Sequence, residues 1–94
     1  MDKFWRDVDT CCDKITASRT VDEVIGILNQ FFTPSSGDAF FAGSGGDRQV
    51  IDALRAAGWV IVWAEAVYYF VAKDHAGDLL TYIEGDVYRG DARG

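Results

Sequence analysis

Apolar residues recur every three to four positions through the first half of the chain, then every second position through much of the remainder. In "DKFWRDVDTCCDKITAS", Phe4, Val8, Cys11 and Ile15 keep helical spacing, with Trp5 and Cys12 beside them. Asp2, Asp7, Asp9 and Lys14 fall mostly opposite, which predicts an amphipathic helix over residues 2–17 with Asp2 as its N-cap. A second helix is expected over 20–32, opened by the capping-box pattern of Thr20 and Glu23. Its apolar stripe is Val21, Val24, Ile25, Leu28, Phe31 and Phe32, and Pro34 stops it. Gly26 inside that helix costs about 1 kcal/mol against Ala, which points to close packing there. A third helix is expected over 47–57, with Val50, Ile51, Leu54 and Ala57 facing inward and Gly58 as the residue that ends it.

From Trp59 the period changes to two. "WVIVW", "VYYFVA" and "LLTYIE" predict strands over 59–64, 67–73 and 79–84, joined by connections short enough for an antiparallel meander. Residues 85–94, "GDVYRGDARG", are expected to form a polar tail. The expected fold is therefore a single α+β domain over 1–94. Three helices pack on a three-stranded antiparallel β-meander, in the order ααα-βββ.

Both faces of that sheet are apolar. Trp59, Ile61 and Trp63 alternate with Val60 and Val62, Tyr69 with Tyr68 and Phe70, and Tyr82 with Ile83. An antiparallel sheet with one wet face normally alternates apolar and polar residues. Three helices can cover one face, so the other must meet the chain's own loop and tail, a second copy, another protein or a small ligand. The candidate contacts are Trp59, Trp63, Tyr68, Tyr69, Tyr82 and Tyr88, joined by Phe40 and Phe41 from the loop described next.

That loop, "GDAFFAGSGGDR", runs into the third helix as phosphate-binding loops do. Gly46 is followed by Asp47 and Arg48, so the lysine and hydroxyl of a P-loop are missing. Gly43 and Gly45 give G-x-G, but Arg48 stands where a dinucleotide fingerprint needs its last glycine. Ser44 and Asp47 instead form a helix-start pattern, with the glycines serving the turn. One of Phe40 and Phe41 is expected to plug the core and the other to be displayed.

Composition adds exclusions. The net charge is −6 and no segment is basic, which disfavours generic binding to nucleic acid or anionic membranes. Residues 1–20 carry charges throughout, which predicts no secretory leader, and no apolar run approaches a membrane span. Cys11 and Cys12 are adjacent, too close for an ordinary disulfide, and read as reduced thiols in a cytoplasm.

Candidate chemistry is sparse. His75, the only histidine, sits in the polar connection "KDHAGD" between Asp74 and Asp78 and is expected to be solvated. Glu84 and Asp86, two apart, would share one face if both lay on a strand, and with Glu65 or Asp78 could approach a divalent cation. A solvated strand end explains the pair more simply. No catalytic, cofactor or metal site is assigned, and the expected activity is non-enzymatic.

The stretch "DRQVIDALRAAGWVIVWAEAVYYFVAKDHAGDLLTYIEGD" resembles the helix–strand–strand–strand core of HicA-type mRNA-interferase toxins, a double-stranded-RNA-binding-like fold. That family carries its catalytic histidine on the second strand, where this chain has Tyr68 and Tyr69, and it is basic where this chain is acidic. The resemblance implies the topology without the nuclease. It also implies a second reading, a nucleic-acid-directed module using Arg48 and Arg55. "GDAFFAGSGGDR", "ALRAAGW" and "YIEGDVYRGD" resemble small accessory proteins of actinobacterial phages. That likeness implies a host-cell cytoplasmic setting and a host-protein target; the apolar sheet adds a homodimer as the other expected partnership.

Overall fold

The computed structural model of the chain describes residues 3–31 and 46–92. The expected N-cap Asp2, the stop at Phe32 and Pro34, the loop bearing Phe40 and Phe41, and residues 93–94 lie outside that range. Three described helices, α1 (Lys3–Thr16), α2 (Val21–Phe31) and α3 (Gly46–Ala56), precede four strands. These are β1 (Val60–Ala66), β2 (Tyr69–Lys73), β3 (Leu79–Ile83) and β4 (Asp86–Arg89), paired antiparallel in the order β1-β2-β3-β4. The fold is α+β, with four strands rather than the three expected.

The fourth strand arises from the turn Glu84–Gly85. Both residues have positive φ, 48° and 98°. A two-residue hairpin of type I′ requires that conformation at both central positions, and Gly accepts it without strain. The turn folds "DVYR" back against β3, pairing Tyr88 with Thr81 and Val87 with Tyr82. The supposed tail is thus ordered as far as Ala92. The Thr81 hydroxyl donates to the Gly90 carbonyl at 2.7 Å and accepts the Ala92 N–H at 2.8 Å.

The helices form where the 3.6-residue period places them. Val8, Cys11 and Ile15 of α1, Val21, Val24 and Leu28 of α2, and Val50, Ile51 and Leu54 of α3 are buried together. They meet Phe70, Ala72, Leu80 and Tyr82 on one face of the sheet, the inner face. Thr20 caps α2 as its pattern predicts: its Oγ1 accepts the Glu23 N–H at 3.2 Å and donates to Glu23 Oε1 at 3.2 Å. Gly26 has open space around a would-be Cβ, so the close packing expected there is absent.

The end of α3 is set by Gly58, at φ 89°. The Gly58 N–H donates to the Arg55 carbonyl at 3.0 Å and the Trp59 N–H to Leu54 at 3.0 Å, a Schellman closure. This turn drops Trp59 into the core, only 4% exposed. Its indole reaches the Ser18 carbonyl at 3.5 Å, at the exit of α1.

Strand β1 departs from strict alternation. Its register with β2 slips between Ile61 and Trp63 and again between Ala64 and Ala66. A bulge adds one residue and reverses which face the following side chains take. Ile61 therefore lies beside Ala72 on the inner face, while Trp63 lies beside Val71 on the outer one. The expectation that Ile61 and Trp63 share a face is corrected by that inserted residue.

Candidate functional site

The outer face is built from three rows across the strands. The middle row runs Trp63, Val71, Thr81, Tyr88. One end row runs Val60, Lys73, Leu79, and the other Ala66, Tyr69, Ile83, Asp86. Val71 and Thr81, at the centre, have no exposed surface. Trp63 meets Tyr69 edge to face, with ring centroids 4.8 Å apart. Toward the margins the face opens: Val60 is 55% exposed and Tyr88 46%. Trp63, Tyr69, Leu79 and Ile83 are half-buried.

The candidate contacts divide accordingly. Trp63, Tyr69 and Tyr88 gather on the outer face, and Tyr68 is exposed in the turn between β1 and β2. Trp59 and Tyr82 are core residues and offer no surface to a partner. The Schellman turn takes Trp59 inward, and alternation along β3 does the same for Tyr82. Phe40 and Phe41 lie outside the described residues. Of the two arginines of the second reading, Arg48 is exposed, and Arg55 is 3.9 Å from Asp52 one turn earlier in α3.

Tyr82 has a role that sequence spacing did not reveal. Its hydroxyl donates to Asp47 Oδ1 at 2.5 Å, across 35 positions of sequence. Its ring stacks on Phe70, 4.8 Å away. Asp47, in the first turn of α3, is almost fully buried. Burial pushes its carboxyl above the usual carboxylate range, the hydrogen bond from Tyr82 opposes that, and the charge of Glu84 adds to it. Burial, then the Asp47 partner, also raises the Tyr82 hydroxyl, so the proton stays on the tyrosine.

The turn "DHAGD" between β2 and β3 was expected to be a solvated connection with His75 free. Instead it clasps the ends of two helices. Asp74 is buried, and its Oδ2 accepts the N–H of Val21, the first residue of α2, at 3.1 Å. Its Oδ1 accepts the N–H groups of Ala76 and Asp78, each at 2.9 Å. Burial acts to raise its pKa. Hydrogen bonds from backbone N–H groups, those of Asp78, Val21, Ala76 and Gly77, outweigh it and hold the carboxyl below its ordinary value. His75 Nε2 lies 2.8 Å from the Ala57 carbonyl, so the exposed ring donates to the C-terminal end of α3. A carboxylate thus meets a helix N-terminus and an imidazole a helix C-terminus, each at the favourable pole.

These commitments decide the chemistry. Asp74 and His75 are engaged with backbone and do not point together at a metal. Glu84 sits in the β3–β4 turn and Asp86 on the next strand, so the two do not share one strand face. Among the described residues, no three His, Cys, Asp or Glu side chains gather to hold a metal ion. Cys11 and Cys12 are free thiols. Burial, then the neighbouring Cys12, pushes Cys11 up to about 12. Burial, then Asp9, Asp13 and Asp52, pushes Cys12 up to about 11. Both stay protonated near neutrality and are poor nucleophiles and metal ligands there. No helix among the described residues is long and apolar enough to cross a membrane.

No protein-family model matches the chain, and neither the curated proteins nor the solved structures contain a match to it.

Proposed function

We propose that this chain is a non-catalytic, acidic protein of phage type that works in the host cytoplasm by binding another protein through the outer face of its sheet. The observation that carries the reading is the end rows of that face. Together with the two ends of the middle row, they expose Val60 and Tyr88 and leave Trp63, Tyr69, Leu79 and Ile83 half-buried, without the polar alternation of a wet sheet. Aromatic enrichment with few charges is the composition of an interface core.

The test is capture from an actinobacterial lysate by immobilised wild-type protein and by a Tyr88→Glu variant, with and without nuclease. A discrete protein retained by wild type after nuclease treatment, and lost with Tyr88→Glu, supports the reading. Retention of nucleic acid, lost on Arg48→Ala with Arg55→Ala, would replace it with the nucleic-acid reading.

A further inference from the structure

We draw no further inference here: the strongest candidate, the surface patch at the margins of the outer sheet face around Val60, Trp63 and Tyr88, belongs to the site already described, and nothing in the structure shows what covers it.

Discussion

The two faces of one sheet share a backbone but not a solvent. On the inner face Phe70, Ala72, Leu80 and Tyr82 have no exposed surface and are locked under three helices. On the outer face only the centre, Val71 and Thr81, is closed, while the margins carry exposed Val60 and Tyr88. Polar groups follow the same division. Inside, Tyr82 finds Asp47, and Asp74 ties α2 down from the β2–β3 turn. Outside, Thr81 is satisfied by the chain that follows β4. The difference teaches that apolar alternation along a strand does not say what covers it. Both faces look alike in sequence, and among the described residues only the inner one is completed by helices.

Substitutions can break this contrast, and the inner face should suffer most. Phe70→Ala removes a fully buried ring stacked on Tyr82 and should cost about 3–5 kcal/mol in urea denaturation. A loss under about 1 kcal/mol would mean that the inner face is not the core.

Asp74→Ala comes next. It strands the N–H groups of Val21, Ala76 and Asp78, for a loss of about 2–3 kcal/mol. Because its carboxyl is held below the ordinary value, its contribution is present above the unfolded pKa and lost as pH falls through the folded one. Wild type should thus lose stability on acidification more steeply than Asp74→Asn, as followed by thermal melts across pH.

Tyr82→Phe leaves the Asp47 carboxylate without its hydroxyl donor and should cost about 1–3 kcal/mol. Asp47 carries the opposite sign from Asp74. Its carboxyl is raised, so its contribution is present below the unfolded pKa and lost as pH rises through the folded one. Asp47→Asn should flatten that decline, and an unchanged pH profile would contradict the account of the pair.

The outer face should respond least. Thr81→Val, which removes one bracketing hydroxyl, should cost about 1 kcal/mol. Tyr88→Glu should stay within about 0.5 kcal/mol of wild type, since the ring is half exposed and closes no part of the core. A large loss at Tyr88 would remove the contrast between the faces.

Much of the inner layer was legible in the sequence. Helical periodicity marked Val8, Cys11 and Ile15, and the Thr20–Glu23 pattern marked a cap that the structure contains. What escaped notice depends on backbone conformation or on distant partners. Glu84–Gly85 is a weaker hairpin signal than Asn-Gly, yet its position between "LLTYI" and "DVYR" was the clue to β4. The bulge that turns Trp63 outward leaves no composition mark. The clasp of Asp74 on Val21 spans 53 positions, and only the spacing of "DHAGD", an aspartate heading a glycine turn, hinted that the carboxylate was occupied.

The central claim is that the outer face is the surface a protein partner covers. Carbene footprinting tests it most directly, comparing the protein alone in dilute solution with the protein in concentrated actinobacterial lysate. Labelling at Val60 and Tyr88 should fall in the lysate, while labelling at exposed helix residues such as Arg48 and Asp52 stays constant. Unchanged labelling at Val60 and Tyr88, with protection appearing on the helices instead, would contradict the account.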